Sequence, residues 1–337
     1  LEKLIADYSQ NQRLYLEESK LVMAYATLKK ELASKPTEVF QTVSNELDKF
    51  DITIDESLSF KSLFQIMTIT TDSASLKSDY AGIASFMDQI YHVAERKTHL
   101  ASRHVYYHCE ILYLMAGTYF RNKRFAKSLE LLETMESVLS DEKGTYHMFF
   151  QERLLLLRSL NHNYTGAYNL AQETIATIKK PGMRSLLAQV MFWFQQEDFQ
   201  SARRVLNGFH HSDIFYEKKE GLLWVIQKNI LEILIYMELN MPDLVASKMR
   251  SFKKRYRPRL VAINEERVLV FMNLLRTYYD EPFKIAESSF KEKVEKAFAW
   301  KTNDQEDIFV MSFYAYLKAK MERTSIYRAT LVLVQKP

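Results

Sequence analysis

The sequence predicts an all-α protein, and three observations carry this prediction. The chain has seven glycines among 337 residues, where the usual share of roughly 7% would give about 24. Parallel sheets, phosphate-binding loops and tight β-hairpins need glycine for positive φ or for close backbone approach. The other two observations are the placement of proline and the spacing of apolar residues, which follows the helical period in about fifteen segments.

The prolines are predicted to mark the ends of helices. Five precede the terminal Pro337, and each stands between two helix-like segments: Pro36, Pro181, Pro242, Pro258 and Pro282. Proline fits the first turn of a helix, but within a helix it removes a hydrogen bond and clashes with the preceding turn. Pro258 is therefore expected to end one helix and to open the next.

Charge and composition limit the classes of function. The formal net charge is only +4, so any attraction to polyanions must be local. The single cysteine, Cys109, rules out an intrachain disulfide and fits a reducing compartment. No apolar run reaches the roughly 18 to 20 residues that span a bilayer, and no signal peptide is visible. We expect a cytoplasmic protein without a membrane span.

The N-terminal third predicts four helices, and a periodic unit follows it. The four helices are expected near residues 1–33, 37–50, 56–71 and 79–97. From about residue 99, a large residue is followed three positions later by a small one, every 35 to 45 residues. The pairs are Phe125 with Ser128, Tyr164 with Ala167, Phe199 with Ala202, Leu244 with Ser247, and Phe283 with Ala286. Such a period indicates stacked helical hairpins, in which the small residue lets two backbones approach; a generic helical bundle is the alternative.

The repeated unit resembles the tetratricopeptide (TPR) repeat over about residues 100–290. Its best match is "LMAGTYFRNKRFAKSLELL", in which Gly117, Phe120 and Phe125 stand at family positions. "NYTGAYNLA" and "EDFQSARRVL" are similar, while Ser128 and Ser247 stand where the family prefers alanine. The resemblance implies a right-handed superhelical stack, a TPR-like α-solenoid. It divides the chain into an N-terminal helical region (1–98), the repeats (99–298), and a C-terminal capping helix and tail (299–337).

The resemblance also implies a concave groove, lined by the first helix of each hairpin, that binds a peptide or another protein. By position, its partner-binding candidates are Arg121, Asn122, Ser159, Phe194, Gln195, Asn229, Tyr236 and Asn240. They include aromatic and polar side chains that suit the recognition of a polypeptide. The alternative is that these residues pack inside the chain.

Residues with catalytic or metal-binding chemistry are sparse. His104 and His108 share a helix face, as in helical zinc sites, but no third ligand can be identified, and packing on an aromatic-rich helix is the favoured interpretation. No G-x-S-x-G, H-E-x-x-H, C-x-x-C or glycine-rich phosphate loop is present. We therefore expect no cofactor, no metal and no catalytic residue, and an enzyme of unrecognised type is the least favoured class.

The basic segment "RSFKKRYRPR" is the remaining candidate for a functional site. It lies within a predicted helix that begins at Pro242. Phe252 and Tyr256 fall on its apolar stripe and are expected in the core. The basic patch is Lys248, Arg250, Lys253, Lys254, Arg255, Arg257 and Arg259. One or two cations would suffice to offset the negative end of a helix dipole, so the dipole does not account for all seven. The segment is either a solvated helix end or a surface for an acidic partner.

The sequence therefore favours a non-catalytic scaffold or sensor module that binds a protein or peptide, with an acidic partner indicated by the basic patch. A nucleic-acid-associated helical protein is the alternative, although nucleic acid normally requires several basic stretches on one face. Homodimerisation through the aromatic-rich helices is left open.

Overall fold

The computed structural model describes residues 1–34, 39–77, 79–141, 146–262, 266–298 and 308–335. These residues form seventeen α-helices and two short 3-10 segments, with no strand among them. The all-α prediction is confirmed, and the number of helices is close to the predicted fifteen. The chain separates into two compact units, residues 1–150 and 151–337, and the boundary falls inside the seventh helix. The three-part division made from the sequence stays a prediction.

The first unit is built from helices that pack on their sequence neighbours. The helices are α1 (Glu2–Ser34), α2 (Val39–Lys49), α3 (Phe60–Lys77), α4 (Ala84–Arg96), α5 (Val105–Arg121), α6 (Phe125–Asp141) and the start of α7 (His147–Tyr164), with a 3-10 segment at Thr98–Arg103. Helix α3 packs on α1, α2, α4 and α5. Its fully buried Leu63, Ile66 and Met67, together with Ile111 and Met115 of α5, form the centre of this unit.

The second unit surrounds one deeply buried helix. Its helices after α7 are α8 (Tyr168–Ala176), α9 (Met183–Gln195), α10 (Phe199–Leu206), α11 (Asp213–Glu220), α12 (Leu222–Glu238), α13 (Pro242–Ala262), α14 (Glu266–Asp280), α15 (Ser288–Phe298), α16 (Ile308–Glu322) and α17 (Ile326–Val334), with a 3-10 segment at Pro282–Ala286. Helix α12 is apolar on almost every side, as expected of a core helix. It packs on α9, α10, α11 and α13.

Five helical hairpins share one type of turn. One or two positions after the first helix of each comes a residue with positive φ: Lys123, Gly166, Glu197, Asn240 or Arg323. In each turn the next N–H bonds to a carbonyl five residues earlier, at 2.8–3.1 Å, for example Arg124 to Tyr119. This is the Schellman motif. It joins α5 to α6, α7 to α8, α9 to α10, α12 to α13, and α16 to α17, and four of the five turns are made without glycine.

The hairpins also share a buried position three residues into the second helix. These residues are Ser128, Ala171, Ala202, Val245 and Ala329, each with 1% exposure or less. At Ser128 the hydroxyl donates a 2.8 Å hydrogen bond to the carbonyl oxygen of Ala116 on α5. A small or compact side chain at this position lets the two helices approach closely, as the repeat pattern predicts.

Three of the predicted repeat pairs were wrong, two of them in register. Tyr164 ends α7 instead of opening α8, and the pair that matches the others is Tyr168 with Ala171. In the fourth hairpin the matching pair is Pro242 with Val245, because α13 begins at Pro242, and both Leu244 and Ser247 are exposed. The fifth pair is not part of a packed hairpin, because Phe283 lies in a 3-10 segment and is 66% exposed.

The prediction for Pro258 was also wrong. Helix α13 runs from Pro242 to Ala262 with Pro258 inside it. Buried side chains on both sides of the proline, Tyr256 and Leu260, continue the same packed stripe. Tertiary packing thus outweighs the lost hydrogen bond and the local clash that a helix-interior proline introduces.

The C-terminal hairpin, α16 with α17, packs against ends of the first helices of earlier hairpins. The hydroxyl of Tyr164 lies 2.8 Å from Oγ of Ser312. The Tyr327 hydroxyl donates to the carbonyl oxygen of Asn163 at 2.8 Å, and Lys320 pairs with Glu238 at 2.8 Å. The last described helices therefore cover α7, α9 and α12 where these helices end.

Candidate protein-binding surface

The basic segment lies on α13, and its aromatic residues are buried as the spacing predicts. Phe252 and Tyr256 are 3% and 1% exposed, and their ring centroids are 5.1 Å apart. They join Val245 and Leu260 in a stripe that packs α13 against α12. Neither ring is available to stack on a nucleic-acid base, whereas most of the cations of the segment are exposed.

A carboxylate at the start of α11 binds part of this positive charge. Asp213 accepts from Nζ of Lys228 at 3.1 Å and from Nη1 of Arg255 at 3.1 Å. The Tyr256 hydroxyl and the Asn229 amide also donate to it, at 2.9 Å and 3.2 Å. Burial disfavours the charged form, but Lys228 and these hydrogen bonds outweigh it and lower the pKa of Asp213. One ionised carboxylate therefore ties α11 to α12 and α13.

Two further carboxylates pair with cations of the segment. Glu217 lies one turn after Asp213 and accepts hydrogen bonds from both terminal nitrogens of Arg259. The distance from Nη1 is 2.7 Å. The hydrogen bond from Arg259 lowers the pKa of Glu217. Glu232 on α12 pairs with Lys248 at 2.7 Å. Three of the seven basic residues are thus used in bonds between helices.

The other four basic residues form an uncompensated stripe, which we call the basic stripe: Arg250, Lys253, Lys254 and Arg257. All four are exposed, and no carboxylate of the described residues pairs with them. Their spacing of three, one and three residues puts them on one helix face, over two turns of α13. The pairing of their neighbours leaves this stripe as the strongest local charge on the helix.

The predicted groove residues divide into buried and accessible ones. Ser159, Phe194, Gln195, Asn229 and Tyr236 are all buried, with at most 8% exposure. The remaining three are on the surface side of the packing: Arg121 and Asn122 are half-buried and Asn240 is exposed. The structure therefore does not bring the eight together on one accessible face, and their role in binding a partner stays a prediction.

Four of the five buried groove residues have partners within the second unit. The Phe194 ring lies 6.0 Å from that of Tyr316 in the C-terminal hairpin. Gln195 accepts a 2.8 Å hydrogen bond from the Asn163 amide, and the Tyr236 hydroxyl donates to Glu232 at 3.1 Å. Asn229 is part of the Asp213 cluster. These contacts show that packing and helix-to-helix bonding occupy the side chains that the repeat pattern assigned to a groove.

The other three groove candidates lie near the ends of α5 and α12, where local contacts account for them. Asn122 donates to the carbonyl oxygen of Tyr80 at 3.0 Å, and the guanidinium of Arg121 lies 4.2 Å from the Tyr80 ring centroid. Asn240 is the positive-φ residue of the α12–α13 turn, a conformation that asparagine tolerates better than most residues. Turn geometry and local packing account for all three.

The histidine pair packs around an aromatic ring. The rings of His104 and His108 have centroids 5.6 Å and 5.8 Å from that of Phe60. His104 is exposed, whereas His108 is buried, and burial lowers the pKa of its imidazole. Within the described ranges no group of three or more His, Cys, Asp or Glu side chains could hold a metal ion.

Comparisons with protein-family models, with curated proteins and with solved structures find no match to this chain. In the parts of the chain that the structure describes, no helix is both long enough and apolar enough to cross a bilayer. The fold and the surface therefore define a class only: an all-α assembly of helical hairpins with a basic stripe on one exposed helix.

Proposed function

We propose that this chain is a non-catalytic protein-binding scaffold of TPR-like hairpins, and that its basic stripe binds an acidic segment of a partner protein. The observation that carries the proposal is the division of charge on α13. Lys248, Arg255 and Arg259 are paired within the chain, while Arg250, Lys253, Lys254 and Arg257 have no carboxylate partner among the described residues. A solvated helix end does not require this concentration of like charges.

The pairing also makes the stripe rigid. Ion pairs and the Tyr256 hydrogen bond hold α13 against α11 and α12, so the exposed cations stand on a fixed backbone. A partner would then lose little of its binding free energy to ordering of this surface. Lysine and arginine side chains at i, i+3, i+4 and i+7 complement a helix or extended segment that carries carboxylates at matching intervals.

The size of the stripe favours a protein segment over nucleic acid. Residues 250 to 257 cover about 10 Å along the helix axis. Duplex DNA carries one phosphate charge per roughly 1.7 Å of its axis, and tight binders neutralise about six to ten phosphates. Four cations on a chain with a net charge of +4 offer less than that, and the segment's aromatic rings are buried.

The experiment measures the binding of a fluorescent helical peptide with glutamate at i, i+3, i+4 and i+7, by anisotropy at low and at high salt. The counterpart peptide carries glutamine at these positions. The stripe variant is Lys253→Glu with Lys254→Glu, and the matched control is Lys179→Glu with Lys180→Glu, an equally exposed lysine pair in the second unit. We expect the stripe variant to lose roughly tenfold in affinity, since each exposed ion pair contributes about 0.2–1 kcal/mol and reversal adds repulsion.

Equal losses in the stripe and control variants would mean that only net charge matters, and the proposed site would be wrong. A charge-matched duplex oligonucleotide serves as the competing ligand. If the oligonucleotide binds more tightly than the acidic peptide and its binding is lost in the stripe variant, the nucleic-acid alternative replaces the proposed function. If the glutamine peptide bound as tightly as the glutamate peptide, the binding would be apolar and unrelated to the basic stripe.

A further inference from the structure

Helix α1 in the first unit exposes an apolar face that the proposed function does not use. Seven large apolar side chains between residues 4 and 23 are from 58% to 75% exposed: Leu4, Ile5, Tyr8, Tyr15, Leu16, Val22 and Met23. Single exposed apolar residues are ordinary on protein surfaces, whereas a contiguous group of them marks an interaction site. Their arrangement along the helix shows which kind of partner fits.

These residues lie on one face, and five of the seven repeat every seven positions. Tyr8, Tyr15 and Val22 are seven apart, and so are Leu16 and Met23. At 100° per residue all seven fall within an arc of about 120°. We call this face the apolar stripe of α1. A seven-residue apolar repeat is the pattern by which one α-helix packs along another.

Between residues 18 and 24, the other side of α1 has partners within the first unit. Leu21 and Ala24 are buried, with 1% and 0% exposure, and the helix packs against α2 and α3. Glu18 pairs with Lys61 of α3 at 2.8 Å. This part of the helix is therefore fixed to its own unit, while the apolar stripe is exposed.

The stripe contains no charge. The other positions of the arc between residues 4 and 23 are Gln12 and Ser19; Gln12 donates to the Tyr8 hydroxyl at 3.0 Å, and Ser19 donates to the carbonyl oxygen of Tyr15 at 2.9 Å. Two identical stripes related by a twofold axis can meet without repulsion between like charges. An acidic or basic partner would find no complementary charge on this face.

The exposed area matches what a dimer needs. Seven side chains that each expose roughly 100 Å² of mainly apolar surface give on the order of 700 Å² per copy. A standard stable interface buries about 800 Å² on each partner, whereas the largest apolar patch on a monomer is usually about 300–600 Å². We propose that the apolar stripe of α1 is the site at which a second copy of this chain binds, helix against helix.

The test is the oligomeric state of the full chain, measured by sedimentation velocity over a range of concentrations. We expect a concentration-dependent dimer that becomes a monomer in the double variant Tyr15→Glu, Leu16→Glu. The matched control is Met148→Glu with Leu170→Glu, which places the same charges at exposed apolar positions that do not belong to α1. Circular dichroism melting curves of both variants verify that folding is retained.

A cysteine at position 12 tests the site directly, because Cys109 is buried and position 12 lies near the middle of the stripe. Oxidation of Gln12→Cys is expected to give a covalent dimer, and Met148→Cys is expected not to. A chain that is monomeric at every concentration, or a dimer that persists in Tyr15→Glu, Leu16→Glu, would overturn the proposal. Flotation of a monomeric chain with phosphatidylcholine vesicles, lost in the same variant, would assign the stripe to a lipid surface instead.

Discussion

Tyr256 on α13 donates a 2.9 Å hydrogen bond to Oδ2 of Asp213, the first residue of α11. The two residues are 43 positions apart in the chain, and the same carboxylate accepts from Lys228 and Asn229 of α12. One side chain thus joins three helices beneath the basic stripe. Lys228 is only 8% exposed, and its other carboxylate, Glu232, lies farther away, at 3.7 Å. The loss of Asp213 would therefore remove the closer partner of a buried cation.

We expect Asp213→Ala to lower the free energy of unfolding by about 3 kcal/mol, the lower end of the range for breaking a buried pair by removing one partner. Asp243→Ala is the matched control, because Asp243 lies exposed in the first turn of α13 and should contribute about 0.5 kcal/mol through the helix dipole. Urea denaturation of both variants measures the difference. Equal effects would show that the Asp213 cluster contributes no more than a surface charge.

The same carboxylate predicts how stability depends on pH in the acid range. The pKa values of Asp213 and Glu217 are lower in the folded chain than their ordinary values, so their ionised forms stabilise the fold above about pH 4. That contribution is lost as the pH falls through the folded pKa values. The stability difference between the native chain and Asp213→Ala should therefore shrink below about pH 4, as measured by urea denaturation at each pH. A constant difference would contradict the prediction.

Burial of His108 predicts a second pH effect at higher pH. Burial lowers the pKa of His108 in the folded chain, so as the pH falls the unfolded chain is protonated at a higher pH than the folded chain. Stability therefore falls as the pH drops below about 6.5. One such histidine can contribute at most about 1.4 kcal/mol per pH unit. We expect His108→Leu to reduce the change in stability with pH between about pH 7 and 5. Some pH dependence of the same sign should remain, because burial also lowers the pKa of His162. His147→Leu, at an exposed position, is the control, and equal flattening in both variants would contradict the prediction.

The Schellman turns predict a stabilising substitution. Arg323 has φ of 55° and an exposed side chain, and a left-handed conformation costs a non-glycine residue roughly 1–2 kcal/mol. Glycine avoids this strain but has greater freedom in the unfolded chain, so Arg323→Gly should stabilise by about 0.5–1 kcal/mol. Arg328→Gly, at an exposed site within α17, should destabilise by about 1 kcal/mol. Thermal melting of the two variants should therefore shift in opposite directions.

Pro258 predicts a second gain in stability. Alanine at this position in α13 would restore a backbone N–H and remove the ring clash, a difference of up to about 3 kcal/mol that the greater freedom of the unfolded chain reduces by up to 1 kcal/mol. Pro258→Ala should thus raise the melting temperature. Pro242→Ala is the matched control, since Pro242 is the first residue of the same helix, where proline is well tolerated. A gain in both variants, or in neither, would contradict the prediction.

The helical class could be predicted because it follows from local chemistry, but the register of the repeats could not. Tyr164 with Ala167 and Tyr168 with Ala171 are equivalent patterns displaced by four residues, close to one helical turn. Nothing local distinguishes them. The structure chooses the second pair because the Schellman turn at Gly166 ends α7 between them.

The pairing of the cations in the basic segment could not be predicted from the sequence either. Its carboxylate partners, Asp213, Glu217 and Glu232, lie 42, 42 and 16 positions before Arg255, Arg259 and Lys248. Which cations are neutralised depends on how α11 and α12 pack against α13. The buried aromatics, by contrast, followed from helical spacing within one segment, and so Phe252 and Tyr256 were assigned to the core correctly.

The C-terminal hairpin also sets an order in which the second unit can be completed during synthesis. Ser312 meets Tyr164 across 148 positions, and Tyr327 meets Asn163 across 164. A nascent chain that ends before α16 therefore holds the ends of α7 and α9 without the side chains that cover them. Ribosomes release the N-terminal part first, so those helix ends stay open to chaperones, or to premature contacts with other chains, until the last helices emerge.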